Sequence, residues 1–156
     1  MAINIQKNYS SRFMKLSLSL AEQAFKENEV PVGAIITKDN KVIGSGFNQV
    51  ISQNSVTAHA EIIAINNAAK IINNYRLIGC NMYVSLEPCH MCAKAIVDAR
   101  ISNLYFAAKE PKTGSIISID NFLDSNHLNH KVLYSYGDLE NESAALLRKF
   151  FKSKRN

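Results

Sequence analysis

Two short stretches, about thirty residues apart, constrain this chain of 156 residues more than any other feature. One is His59-Ala60-Glu61. The other is Pro88-Cys89-His90-Met91-Cys92, with Leu86-Glu87 just before it. Cys89 and Cys92 stand at i and i+3, so on a helix they share a face. Proline is favoured in the first turn of a helix, which puts both thiols at its positive end, where thiolates are stabilised. His59 also opens an apolar-periodic run. A fold that turns these two helix starts toward each other assembles one nitrogen and two sulfur donors for a zinc ion. Three protein ligands leave a fourth tetrahedral position open, the mark of a catalytic rather than a closed structural zinc. Water held there has its pKa lowered towards about 7. Glu61 lies two residues past His59, about 200° round a regular helix. The two therefore converge only at the helix mouth, where a carboxylate can take the water's proton and pass it to a substrate.

Each fragment alone has a plainer reading. A lone Cys-x-x-Cys also suits a redox pair or half of a structural zinc site. However, the sequence has no second such pair, and no histidine pair separated by the three to five residues of a structural site, to close one. His90 follows Cys89 directly, about 100° round the helix, and is read as a surface residue. Cys80, the third cysteine, is read as a small buried residue. An odd cysteine count argues against a disulfide framework.

The rest of the chain supplies a frame for the two halves. Phe13, Leu16, Leu20 and Ala24 recur at helical spacing within residues 9–26, with Ser10 or Ser11 as a cap. Residues 32–37 and 41–47 read as a hairpin turning at Lys38-Asp39-Asn40. Gly33, Gly44 and Gly46 within it mark a bulge or a close backbone approach. A second helix is expected over 58–72 with Thr57 as its cap, a third strand over 81–86, and a third helix from Pro88 to about Ala99. A fourth strand follows over 102–108, a short helix from about Ser118, a fifth strand over 131–134, and a last helix over 137–151 capped by Asp138. This order predicts a single α/β domain: a mixed five-stranded sheet with helices on both faces. The net charge of +5 permits a polyanionic partner without requiring one. Residues 1–7 are too polar for a signal-peptide core, and no run approaches the roughly 20 apolar residues of a membrane span. A cytoplasmic location without membrane association is the default expectation.

At His59-Ala60-Glu61 with Pro88-Cys89-x-x-Cys92, the sequence resembles the zinc-dependent cytidine/deoxycytidylate deaminase superfamily. That signature and its chemistry are general to zinc deaminases. Further matching segments are Glu29-Val30-Pro31-Val32-Gly33-Ala34, Asn74-Tyr75-Arg76-Leu77 and Lys112-Thr113-Gly114. Together with the ending Ala144-Ala145-Leu146-Leu147…Phe150-Phe151, they are similar to the branch that deaminates adenosine in bacterial tRNA. The resemblance implies a three-layer α/β/α fold. It implies one zinc per subunit on His59, Cys89 and Cys92, with Glu61 as proton shuttle. Hydroxide on that zinc would attack C6 of the wobble adenosine of an arginine tRNA anticodon loop, yielding inosine. It further implies that Asn48 and the backbone near Ala60 meet the base, that Val30 and Pro31 form a wall, and that Glu110, Asn129, His130 and Phe150 lie near the flanking nucleotides. Homodimers are the rule in that branch. Two other readings stand beside it: a deaminase of a free base or nucleoside, and a non-catalytic zinc-stabilised RNA-binding module.

Overall fold

The computed structural model describes residues 9–155; residues 1–7, read above for their polarity, lie outside that range. Helix α1 (Ser11–Lys26) leads into the hairpin β1 (Gly33–Lys38) and β2 (Lys41–Phe47). Helix α2 (Ala60–Ile72), strand β3 (Asn81–Leu86), helix α3 (His90–Asp98) and strand β4 (Asn103–Ala108) follow. A short 3-10 helix at Phe122–Asp124, strand β5 (Leu133–Tyr136) and helix α4 (Glu140–Lys154) complete the chain. The sheet runs β2-β1-β3-β4-β5, with β1 antiparallel to both neighbours and β3, β4 and β5 parallel. This is the expected mixed five-stranded, three-layer architecture. Among the described residues no helix is long and apolar enough to cross a membrane.

Period-two alternation divides the strands between two cores. Ala34, Ile36, Met82, Val84, Leu104 and Phe106 face one side, where Ala60, Ala64 and Ala68 of α2 and Ile96 and Val97 of α3 cover them. Ile35, Tyr83, Tyr105 and Ala107 face the other, against Phe13 and Met14 of α1. Helix α4 lies on this second side, where the Ser143 hydroxyl donates to the Ser85 carbonyl at 2.6 Å. The alanine stripe of α2 lets the helix sit directly on the hairpin. A Cβ on Gly44 would lie 2.6 Å from the Ala64 carbonyl oxygen, and one on Gly46 2.7 Å from that of Ala60. The strand glycines therefore mark close approach, while the register shift falls between Ile36 and Thr37.

Several boundaries differ from expectation for identifiable reasons. Thr57 does not cap α2. His59 occupies the N-cap position without a side-chain cap bond, because its ring turns to the cysteines. Pro88 stands before Cys89, the N-cap of α3, and its carbonyl accepts the Ser115 amide at 2.9 Å. Asp138 does not cap α4, which starts after Leu139 in a left-handed conformation. It instead accepts hydrogen bonds from the Tyr9 and Ser11 hydroxyls. Strand β5 begins two residues later than expected because its pairing with β4 starts at Asn103 opposite Leu133. The helix expected from Ser118 is replaced by turns. The Glu87 carboxylate gathers the amides of Ile116, Ile117 and Ser118, and only Phe122–Asp124 closes into a 3-10 helix.

Candidate active site

Strands β2 and β3 are both antiparallel to β1 and so run in the same direction, which brings the N-termini of α2 and α3, the helices that follow them, together at the carboxyl end of the sheet. This is the usual position for a site in an open α/β fold. His59 and Cys89 each hold the N-cap position of their helix. The His59 Nδ1 lies 3.7 Å from Cys89 Sγ and 3.5 Å from Cys92 Sγ. The three donor atoms fall within 4.8 Å of one another. A tetrahedral zinc with Zn–N near 2.05 Å and Zn–S near 2.3 Å requires an N···S edge of about 3.6 Å. The spacing meets that requirement, so the donor set fits zinc in both chemistry and size.

The electrostatics point the same way. The Cys89 thiol is pulled down to about 4, first by a hydrogen bond from Cys92 and then by His59, against the opposing effect of burial. Cys92 is driven upward by donating to Cys89, by burial and by Glu61. Thiols bind a metal as thiolates, so a divalent cation bound to both sulfurs would displace their protons. His59 is raised, chiefly by its hydrogen bond to Cys89.

Glu61 is only 4 % exposed and lines the cleft beside His59 and Cys89. Burial pushes its carboxyl up to about 7, with a further push from the Cys89 thiolate, against the lowering effects of its own backbone, His59 and Cys92. A carboxyl poised near neutrality and adjacent to three metal donors is suited to accept and return a proton.

The cleft has a volume of about 290 Å³ and is bounded by Val30 and Val32 on one side and by Glu110 and Thr113 on another. Asn48 lines it too. Of the residues expected there, Val30, Asn48 and Glu110 are brought together with the metal donors. Pro31 is buried between Val30 and Val32, which supply the wall in its place. The Ala60 amide does not face the cleft freely; it donates to Asn48 Oδ1 at 2.8 Å. Within one chain Asn129 and His130 lie away from the cleft. Asn129 accepts from Arg100, and His130 bonds the Ile101 carbonyl at 2.8 Å, before the start of β4. Phe150 is buried edge-on against Phe25, with ring centroids 5.8 Å apart. His90 is exposed as expected, but it pairs with Asp120 at 2.9 Å and packs edge-on against Phe122. Sequence reasoning missed Glu29 and Glu87, two buried acids on the cleft wall. Their only signal was an acid directly before each of the segments Val30-Pro31 and Pro88-Cys89.

This fold, with one imidazole, two thiols and a buried carboxylate at the mouths of two helices, defines a zinc deaminase. The chain belongs to the cytidine and deoxycytidylate deaminase family, whose zinc-binding region matches residues 7–108. It is 45 % identical over 144 residues to the tRNA-specific adenosine deaminase of Aquifex aeolicus, covering 92 % of this chain and 95 % of that one. It is 43 % identical over 155 residues to the Haemophilus influenzae protein of the same name, covering 99 % and 90 %. A solved structure from a study of A-to-I editing by tRNA:A34 deaminases at the wobble position superposes with a TM-score of 0.86 at 41 % identity, over 88 % of this chain and all of that one. The guanine deaminase of Bacillus subtilis superposes with a TM-score of 0.63 at 30 % identity, over 95 % and 94 %.

Proposed function

We propose that this protein hydrolyses adenosine to inosine at the wobble position of a tRNA anticodon loop, with an arginine tRNA as substrate. The observation that carries the chemistry is Glu61, a buried carboxylate beside three donors that fit zinc. The near full-length similarity to tRNA-specific adenosine deaminases supports the substrate. His59, Cys89 and Cys92 would hold one zinc per chain, which would supply a nucleophilic water at neutral pH. Glu61 takes a proton from the attacking water and delivers it to the adenine ring, so that water adds at C6 and ammonia leaves. The net reaction consumes one water and yields inosine and ammonia.

Val30 and Val32 give the base an apolar wall. Asn48, with its oxygen committed to the Ala60 amide, keeps its amide group for the base edge. Glu110 lies at the rim, in reach of a flanking nucleotide. Asn129 and His130 contact RNA beyond the target base, outside the cleft, and Phe150, buried against Phe25, supports the α4 surface. The end of α4 presents Arg148, Lys149, Lys152 and Arg155 around a shallow depression with Leu147 and Phe151. Cations of this kind neutralise phosphates. The working form is a homodimer, located with its tRNA in the cytoplasm.

Deamination of a free base is the second reading, favoured by the likeness to guanine deaminase. Inosine formation in an anticodon stem-loop, set beside turnover of free adenosine and guanine, separates the two.

A further inference from the structure

The cleft is bordered by two lips of irregular chain. One follows β2 and carries Val50 and Ile51; the other follows β4 and carries Glu110 and Thr113. Each lip is closed by turn hydrogen bonds and not by a ladder or a regular helix, and each is in addition tied by one buried glutamate. Glu29, 2 % exposed, accepts the Ile51 amide at 3.1 Å on Oε1 and the Ser52 amide at 2.8 Å on Oε2. Glu87, 3 % exposed, accepts the Glu110 amide at 3.0 Å and the Ser118 hydroxyl on Oε1. Its Oε2 accepts the amides of Ile116, Ile117 and Ser118 at 3.0, 2.8 and 2.9 Å. An ionised carboxylate offers about four lone-pair sites, so Glu87 is saturated by one loop. Gly114 rides directly on this carboxylate, and a Cβ there would fall inside contact distance of it.

These two acids do no chemistry. Glu87 has every oxygen engaged by the loop, and Glu29 is engaged by the opposite one. Each, however, directly precedes a segment that builds the site: Glu29 precedes Val30, and Glu87 precedes Pro88-Cys89. Buried charge-assisted bonds of this type hold a geometry that loop backbone alone does not. We propose that Glu29 and Glu87 are positioning residues that preform the two lips of the cleft, so that capture of RNA around the target base depends on them while the metal chemistry does not. This rests on the reading of the cleft as a tRNA adenosine site.

The test uses the zinc-loaded full chain as wild type, Glu29→Gln, Glu87→Gln and Gly114→Ala. The glutamine variants keep volume but turn an NH2 group against backbone donors. Gly114→Ala attacks the Glu87 tie from the loop side, and it decides the matter if Glu87→Gln fails to fold. Zinc content, kcat and KM on an anticodon stem-loop, and amide exchange at residues 51–52 and 116–118 are measured. The expected result is a KM raised about tenfold, about 1.4 kcal/mol, with zinc retained and kcat nearly unchanged. Exchange should accelerate only in the lip whose tie is cut. An unchanged KM, or a loss confined to kcat or zinc, overturns the inference. If the wild type forms no inosine in the stem-loop, the tRNA reading falls. The exchange data then decide the ties alone: local acceleration upholds them and unchanged exchange overturns them.

Discussion

Asn48 Oδ1 accepts the backbone amide of Ala60 at 2.8 Å. It caps α2 from a loop twelve positions earlier in the chain, because His59, the residue at the N-cap, has its ring committed to the two cysteines. With the His59 ring turned to the cysteines, the cap comes from elsewhere. Asn48 thus joins the base pocket to the helix that carries His59 and Glu61. Asn48→Ala is expected to cost about 1 kcal/mol of stability and, if Asn48 meets the base as proposed, to lower kcat/KM by more than tenfold. Asn48→Asp keeps the cap oxygen and should recover the stability but not the activity. Thermal melts paired with kinetics check this.

Glu61→Gln removes the proton shuttle while keeping shape. General acid–base groups contribute about 10²–10⁴-fold, so kcat should fall by at least about a hundredfold. Zinc content, measured by elemental analysis, should stay at the wild-type level. Activity retained in this variant would mean that the proton moves by another route.

The donor spacing predicts one zinc per chain. Prolonged chelation should abolish deamination, and added zinc should restore it. Cys92→Ser should bind metal far more weakly than the wild type, because it replaces a thiolate donor with a hydroxyl. Full activity in demetallated protein would contradict the site.

Packing of α2 on the hairpin leaves no room at Gly44. Gly44→Ala drives a Cβ against the Ala64 carbonyl and the Ala68 side chain. Overpacking of this kind costs about 1–3 kcal/mol, to be read from denaturant unfolding with little change in zinc affinity.

Tyr105 is buried and held above the ordinary tyrosine value of 10.0, first by burial and then by Tyr83. A raised folded value means that its contribution is fully present below pH 10 and is lost as pH rises above it. Tyr105→Phe should therefore flatten the alkaline limb of the stability–pH curve relative to wild type. An identical alkaline limb in the two proteins would refute this.

Much of the fold was legible in the sequence because alternation in the strands and the alanine stripe of α2 are local signals. So was the metal set, since His59, Cys89 and Cys92 carry their spacing on the surface of the sequence. The failures share one physical cause, which is side chains bonded to partners far away in the chain. Glu87 gathers the amides of Ile116, Ile117 and Ser118 around one carboxylate, a tie from β3 that no local signal in that segment announces. Asp138 bonds Tyr9 and Ser11 and leaves α4 uncapped. Asn48 replaces Thr57 as the cap of α2. The contacts implied by the resemblance fall in two places. Val30, Asn48 and Glu110 stand beside the metal donors, whereas Asn129, His130 and Phe150 lie elsewhere on the chain.

The central claim is adenosine deamination in a tRNA anticodon loop by a zinc–glutamate site. The most direct measurement incubates the zinc-loaded protein with an arginine tRNA anticodon stem-loop bearing a wobble adenosine, alongside free adenosine, guanine and cytidine, and quantifies deaminated product by mass spectrometry. Inosine at the wobble position, lost in Glu61→Gln, is the predicted result. Turnover of the free compounds with none in the stem-loop would contradict it.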